Sequence, residues 1–207
     1  MKICETFVSL QGEGLMMGVP TLFIRTVGCN LDCSWCDTKY AFSGGYEVSV
    51  GALAELAADI SNICVTGGEP MLQDELPELL DVLLSGRKHV VLETNGSIDV
   101  GGLPKNKNLM ISMDIKCPSS GMTDSMLMSN IAVLGEKDQL KFIISDDADF
   151  EFAADVLKKY TVRTNVIFSP VGGMDLGPLA EKVLDRKLEV RVLPQLHKII
   201  WGDRRSV

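Results

Sequence analysis

The sequence predicts an α/β protein, a partial (β/α) barrel of about six mostly parallel strands with incomplete helical cover. Short, continuous apolar runs recur along the chain, and such runs are typical of strands that are covered on both faces, as in parallel sheets. Amphipathic, helix-like segments separate several of these runs, which gives the strand–helix–strand order of a parallel sheet. With 207 residues, the chain is short for the eight units of a full barrel.

The predicted elements follow one another in this order. The strands are expected at residues 21–27, 63–66, 89–93, 109–114, 139–144, 165–168 and 188–193. The helices are expected at residues 50–60, 74–85, 148–159 and 176–186. Ser49 and Asp74 are of the residue types that cap the first and second helices. Residues 97–108 and 118–137 show neither pattern clearly, and the helical cover is therefore expected to be incomplete.

The composition predicts one globular domain over residues 1–207. Hydrophobic residues make up 46% and charged residues 23%, which favours a normal core over disorder. No apolar run is long enough to cross a bilayer and no signal peptide is evident, so a cytoplasmic protein without a membrane partner is expected. The net charge of −8 disfavours a nucleic-acid partner, because phosphate backbones would be repelled. A small-molecule substrate is expected instead.

Polar clusters stand where several predicted strands end. They occupy residues 28–30, 66–70, 93–96, 114–116, 145 and 169–173. The carboxyl ends of parallel strands lie at one edge of a sheet, which is where α/β folds bind ligands. We therefore expect these clusters to meet at one site.

Three of the six cysteines, Cys29, Cys33 and Cys36, fall within one short segment. Thiolates are the ligands of iron–sulfur clusters, and three of them would leave the fourth iron of a [4Fe–4S] cluster open to a small molecule. A zinc site is the main alternative, with its fourth ligand drawn from Cys4, Cys64, Cys117 or His197. A disulfide is disfavoured in the cytoplasm.

The cysteine spacing C-x3-C-x-aromatic-C, with Trp35 at the aromatic position, resembles the signature of the radical S-adenosylmethionine superfamily. The segment Thr66-Gly67-Gly68-Glu69-Pro70 resembles the G-G-E-P element of the same superfamily. The resemblance implies a [4Fe–4S] cluster whose open iron is chelated by S-adenosylmethionine. It also implies that reductive cleavage yields a 5′-deoxyadenosyl radical, which abstracts hydrogen from a substrate.

Segments 5–14, 23–25, 36–38, 116–122 and 195–202 resemble, more narrowly, the 7-carboxy-7-deazaguanine synthase family. This resemblance implies a lyase that contracts the ring of 6-carboxy-5,6,7,8-tetrahydropterin to 7-carboxy-7-deazaguanine with loss of ammonia, as in queuosine or archaeosine biosynthesis. It further implies a Mg²⁺ ion, a reductant such as a flavodoxin or ferredoxin, and a homodimer.

The site residues carried over from the resemblance form three groups, with no catalytic side chain beyond the cluster and the radical. The metal ligands are Cys29, Cys33 and Cys36 for the cluster and Thr38 for Mg²⁺. The S-adenosylmethionine contacts are Trp35, Cys36, Asp37, Gly68, Glu69, Asp114, Ile115, Lys116, Ser169, Pro170, Val171 and Gly172. The substrate contacts are Gln11, Gly12, Glu13, Gly14, Arg25, Thr66, His197 and Val207.

The chemistry of some of these residues suits a carboxylated pterin. Arg25 offers a planar fork for a carboxylate, and Glu13 can accept hydrogen bonds from amino and ring N–H groups. One departure is Asp114-Ile115-Lys116, where the family often has Ser-Pro-Lys; Asp114 could equally bind a ribose hydroxyl or pair with Lys116. Two alternatives share the cysteines: an activase that makes a glycyl radical on another protein, and a non-catalytic iron–sulfur or zinc protein.

Overall fold

The computed structural model describes all 207 residues, and its strands form one sheet. The strands are β1 (Lys2–Leu10), β2 (Pro20–Thr26), β3 (Tyr46–Glu47), β4 (Asn62–Gly67), β5 (His89–Thr94), β6 (Leu109–Ile115), β7 (Gln139–Ile144), β8 (Asn165–Pro170) and β9 (Arg191–Val192). Their order is β3-β1-β2-β4-β5-β6-β7-β8-β9, so the sheet is open, with β3 and β9 at its edges. β1 pairs antiparallel with β2 and β3, whereas every pairing from β2 to β9 is parallel.

The predicted partial barrel of mostly parallel strands is confirmed. The sheet has nine strands, against about six expected from the apolar runs. Two strands have no counterpart among the predicted apolar runs: β1, which carries a mixed polar sequence, and the two-residue edge strand β3. The expected strand at 188–193 is reduced to β9, because only two of its residues pair with β8.

The helices are α1 (Val50–Leu56), α2 (Leu76–Ser85), α3 (Asp147–Lys159), α4 (Gly177–Asp185) and α5 (Leu196–Trp201). The predicted cap of α1 is confirmed, since the Ser49 hydroxyl accepts a hydrogen bond from the Ala52 N–H at 3.2 Å. The predicted cap of α2 is wrong. Glu75 occupies that position and makes no capping hydrogen bond, so Asp74 lies outside the helix. α5 was not predicted.

The helical cover is incomplete, as expected. No helix lies between β5 and β6, and only short 3₁₀ helices, Pro118–Ser120, Thr123–Ser125 and Met128–Ala132, lie between β6 and β7. None of the helices combines the length and the apolar character needed to cross a membrane.

The core consists of two apolar clusters on the helix-covered side of the sheet. One contains 17 buried residues, drawn mainly from β1, β2, β4, β5, α1 and α2. The other contains 20, drawn mainly from β6, β7, β8, α3 and α4, and Phe142 and Phe168 meet edge to face within it at 5.4 Å. Leu31 and Cys33 also belong to this second cluster, so the cysteine segment is anchored in the core.

Candidate active site

A cavity of about 400 Å³ lies at the carboxyl ends of the parallel strands. This volume is within the usual range for small-molecule sites. Most of the sequence-predicted site residues line it: Gln11, Gly12, Glu13, Arg25, Cys29, Cys33, Trp35, Cys36, Asp37, Thr38, Thr66, Gly68, Asp114, Lys116, Pro170, Val171, Gly172, His197 and Val207. The polar clusters that follow five of the strands therefore meet, as expected from the parallel topology.

The three cysteines of the segment after β2 line this cavity as free thiols. The Leu31 N–H donates to Cys29 Sγ at 3.5 Å and the Thr38 N–H donates to Cys36 Sγ at 3.4 Å, as backbone groups do toward cluster thiolates. Burial raises the pKa of the Cys33 thiol, and the Lys116 ammonium opposes that rise.

These thiols fit a cluster better than a single ion. Nowhere in the chain do three His, Cys, Asp or Glu side chains converge so that they could hold one metal ion, which counts against the zinc alternative. A [4Fe–4S] cluster takes one thiolate per iron, at separate corners, and three ligands on one loop are suited to it. Cys29, Cys33 and Cys36 lie on one loop and line one cavity, so their number, type and placement fit a [4Fe–4S] cluster.

The Gly-Gly-Glu-Pro segment packs tightly against the cysteine segment. The Glu69 N–H donates to the Gly28 carbonyl at 2.8 Å, and a Cβ on Gly68 would lie only 2.1 Å from that same oxygen. Only glycine allows this approach, which leaves the Gly68 backbone facing the cavity.

Glu69 differs from its expected role. Its side chain is fully buried, lies outside the cavity lining, and accepts hydrogen bonds from the Met71 N–H, the Thr94 hydroxyl and the Asn95 N–H at 2.6 to 2.9 Å. Because both carboxylate oxygens are already engaged, Glu69 fixes the loops after β4 and β5 instead of facing a ligand.

A chain of hydrogen bonds connects Trp35 to α3. Its indole Nε1–H donates to the Ser119 hydroxyl at 3.1 Å, and that hydroxyl donates to Asp149 Oδ2 at 2.5 Å. Asp149 is fully buried and also accepts from the Ser119 N–H and the Ser145 N–H, both at 2.9 Å. Lys116 lies 5.6 Å from the centre of the Trp35 ring and pairs with Asp114 at 2.6 Å.

Several charged side chains meet on the cavity face of the sheet. Lys141 Nζ lies 2.7 Å from Glu93 Oε2, 3.2 Å from Glu13 Oε2 and 3.4 Å from Asp114 Oδ1. Burial alone would oppose ionisation of Asp114, but Lys116 and Lys141 outweigh it and lower the pKa of that carboxyl. Burial raises the pKa of Glu93, because the Lys141 charge offsets burial and the nearby Glu13 only in part.

Residues from near both ends of the chain contact each other on another wall of the cavity. The Leu196 N–H donates to the Gly12 carbonyl at 2.8 Å, and a Cβ on Gly12 would lie 2.1 Å from His197 Nδ1, so the imidazole packs directly on this backbone. The Gln195 side chain donates to Glu13 Oε1 at 2.6 Å. The Gln-Gly-Glu-Gly segment and the tail thus form one surface.

Arg25 faces the cavity from the middle of β2. Its Nε donates to Glu5 Oε1 at 2.8 Å, and only 16% of its side chain is exposed. The Tyr40 hydroxyl donates to the same oxygen at 3.1 Å, and the Ser206 hydroxyl of the tail donates to Glu5 Oε2 at 2.7 Å. Of the guanidinium N–H groups, only Nε is used within the protein, which leaves the terminal nitrogens for a ligand.

Three other predicted residues lie outside the cavity lining. Gly14 has φ +71° and packs on the Gln139 amide, so it shapes the turn that carries Glu13. Ile115 is buried in the core, and Ser169 donates its hydroxyl to the Leu193 carbonyl at 2.8 Å. Any ligand contact of Ile115 would have to come from its backbone.

Sequence reasoning missed some residues that line the cavity. Lys141, Tyr40 and Gln195 are the polar ones with the most direct contacts to predicted site residues. For Lys141 a signal was present, since it is the one charged residue in the apolar run that became β7. No pattern marked Tyr40. Gln195 lies in segment 195–202 of the family resemblance but had no assigned role, because its contact with Glu13 joins distant segments.

Comparisons with known proteins agree with this geometry. The family model of the radical SAM superfamily matches residues 23–119. A 7-carboxy-7-deazaguanine synthase of Thermoplasma acidophilum is 40% identical over 205 residues, covering 98% of both chains. One of Methanospirillum hungatei is 42% identical over 206 residues, covering 97% of this chain and 85% of that protein. The crystal structure of QueE from Escherichia coli has a TM-score of 0.75 at 26% identity, covering 95% of this chain and 94% of that one.

Proposed function

The chain belongs to the 7-carboxy-7-deazaguanine synthase family of radical S-adenosylmethionine enzymes, and we propose that it converts 6-carboxy-5,6,7,8-tetrahydropterin to 7-carboxy-7-deazaguanine with loss of ammonia. The observation that carries this proposal is that one cavity joins the cysteine segment to Arg25, Glu13 and His197. A cluster site and a set of groups suited to a carboxylated pterin are thus in the same volume.

The cofactor side of the cavity is assigned to the cysteine segment and its neighbours. Cys29, Cys33 and Cys36 would hold the [4Fe–4S] cluster, and Trp35 and Lys116 lie beside them on the cavity wall. When bound, the cluster and S-adenosylmethionine supply the 5′-deoxyadenosyl radical that takes hydrogen from the substrate. The protein orients the two ligands and excludes water from them.

The substrate side uses charge and hydrogen bonding. The free nitrogens of Arg25 would pair with the substrate carboxylate, and Glu13, already ionised beside Lys141, would accept from the amino and ring N–H groups of the pterin. The Gly12 backbone and His197 form the adjoining wall. The tail residues 203–207 also line the cavity, and the Val207 carboxylate would contribute a further contact.

Thr38 is proposed as a ligand of Mg²⁺. Its hydroxyl donates to Asp37 Oδ1 at 2.9 Å and both residues line the cavity, so an ion there would need substrate and water oxygens to complete its shell. We further propose that the protein is a cytoplasmic homodimer. It would receive electrons from a flavodoxin or ferredoxin, and its product would enter queuosine or archaeosine synthesis.

The test is anaerobic turnover of the reconstituted, reduced protein with S-adenosylmethionine and 6-carboxy-5,6,7,8-tetrahydropterin. The expected product is 7-carboxy-7-deazaguanine, identified by mass and ultraviolet spectrum, with the S-adenosylmethionine concentration unchanged. Return of the pterin intact while 5′-deoxyadenosine accumulates would overturn the proposal. A matched variant with Cys29, Cys33 and Cys36 all changed to Ala controls for chemistry outside the cluster.

A further inference from the structure

Lys141 is a buried cation shared by three carboxylates from three parts of the chain. Only 7% of its side chain is exposed, and its ammonium lies between Glu93 of β5, Asp114 of β6 and Glu13 of the segment after β1. The strand direction explains this position. In β7, Leu140 and Phe142 turn into the core, whereas Lys141 and Ile143 turn to the cavity.

The three carboxylates lie on different walls of the cavity, on the sides assigned to the substrate and to the cofactor. Glu13 lies on the substrate wall, where Gln195 donates to its other oxygen at 2.6 Å. Asp114 lies on the cofactor wall, where Lys116 pairs with its other oxygen at 2.6 Å. Glu93 lines the same cavity and accepts a further hydrogen bond from the Ser112 hydroxyl at 2.7 Å. Lys141 is therefore the one group in contact with all three.

The charges in this cluster need the ammonium. Three carboxylates face two cations, and Lys116 contacts only Asp114. Removing Lys141 would leave Glu13 and Glu93 with no cationic partner in a buried site, so one of them would take up a proton or turn away. The pKa of Glu93 is raised by burial and by the charge of Glu13, so loss of the nearby ammonium would favour the protonated form of Glu93 further.

A purely structural ion pair would have its partners in the core or at the surface, away from a ligand cavity. Here all three partners of Lys141 line the same cavity as Lys141 itself. A carboxylate that accepts N–H groups of a ligand has to be ionised and held in position, and an ammonium behind it does both.

We propose that Lys141 is a positioning residue of the reaction, which keeps Glu13 and Glu93 ionised and oriented toward the pterin and, through Asp114, ties the substrate wall to the cofactor wall. This inference rests on the proposed function. Lys141 acts through these carboxylates and does not itself touch the reacting atoms.

The test measures binding separately from turnover. Equilibrium dialysis of 6-carboxypterin is carried out against reconstituted, unreduced protein with S-adenosylmethionine present, for the wild type, Lys141→Met and Lys141→Arg. Lys158→Met on the exposed side of α3 is the matched control. The dissociation constant for 6-carboxypterin should rise about tenfold or more in Lys141→Met, return to within about threefold of wild type in Lys141→Arg, and stay unchanged in the control. The KM for S-adenosylmethionine should change by less than about threefold, because Lys116 still holds Asp114.

A charge-matched variant keeps the test decisive if the single variant folds poorly. Lys141→Met combined with Glu93→Gln removes one positive and one negative charge, so its cluster has the same net charge as the wild type. This double variant should regain part of any loss in melting temperature, because one buried carboxylate instead of two is left without a cationic partner, and it should still bind 6-carboxypterin weakly. Wild-type binding by either methionine variant, or an equal loss of pterin and S-adenosylmethionine affinity, overturns the inference alone. Absence of both binding and product in the wild type overturns the proposed function, and the inference with it.

Discussion

Glu5 is the single residue that connects Arg25, the loop after the cysteines and the tail. Its two oxygens accept hydrogen bonds from Arg25, Tyr40 and Ser206. Burial of Glu5 opposes its ionisation, but these hydrogen bonds and the Arg25 charge outweigh burial and lower its pKa. A lowered pKa means that the contacts are complete at neutral pH and are lost only as the pH falls through that lowered value.

Glu5→Gln tests this connection. The amide has the shape of the carboxylate but no charge, so Arg25 loses its partner and the tail loses a strong acceptor. We expect the KM for the pterin to rise about threefold to tenfold and trypsin to cut faster after Arg204 and Arg205, as followed by mass spectrometry. Glu55→Gln on the exposed face of α1 should change neither quantity. Unaltered cleavage in Glu5→Gln would show that the tail is held by other contacts.

At the scale of elements, α3 supports the cofactor wall from behind the sheet. Asp149, in its first turn, accepts three hydrogen bonds from Ser119 and Ser145 and so fixes the hydroxyl that holds Trp35. This residue carries no ligand itself. It lies beyond the reach of sequence reasoning, since an acidic residue in the first turn of a helix is ordinarily explained by the helix dipole.

Asp149→Ala should weaken both the fold and the cysteine segment. Three partly buried donors lose a fully buried acceptor, which we expect to lower the free energy of unfolding by about 2 kcal/mol, measured by urea denaturation of the cluster-free protein. Iron and sulfide content after reconstitution should also fall, because Trp35 and the cysteines beside it lose their support. The control is Asp155→Ala on the exposed side of the same helix, which should cost less than about 0.5 kcal/mol. If Asp149→Ala is destabilised but still takes up a full cluster, Asp149 stabilises the fold without supporting the cysteine segment.

The elements themselves divide into those that local pattern predicts and those that tertiary contacts create. The apolar runs predict β7 to the residue and the other central strands to within two residues, because each is buried on both faces. β3 exists only through pairing with β1 and has no pattern of its own, whereas β9 is the short part of the apolar run at 188–193 that pairs with β8. Likewise, α5 depends on the packing of its first turn against Gly12 and Gly173, more than 20 residues away in the sequence.

For the whole molecule, parallel topology is what made the site predictable. Polar clusters at the ends of parallel strands must share a rim, and most predicted residues do line one cavity. Topology alone does not predict which charged side chains contact one another. The contact of Lys141 with Glu13 spans 128 positions and that of Ser206 with Glu5 spans 201, and no local spacing encodes either. Asp114 stands where the family often has serine, and in the structure its negative charge is matched by the charges of Lys116 and Lys141.

Since both core clusters border the cavity, ligand binding should stabilise the molecule as a unit. Leu31 and Cys33 belong to the larger cluster, and Thr66 and Gly68 continue the strand whose apolar residues build the smaller one. A ligand at one hundred times its dissociation constant adds about 2.7 kcal/mol to the free energy of unfolding, which for a chain of this size raises the melting temperature by about 5–10 °C. We therefore expect anaerobic calorimetry of the reconstituted protein to show a rise of this size when S-adenosylmethionine is added. The Cys29→Ala/Cys33→Ala/Cys36→Ala variant, which lacks the open iron, should show almost none of it. A full rise in that variant would mean that S-adenosylmethionine binds independently of the cysteine segment, contrary to the site assigned to it.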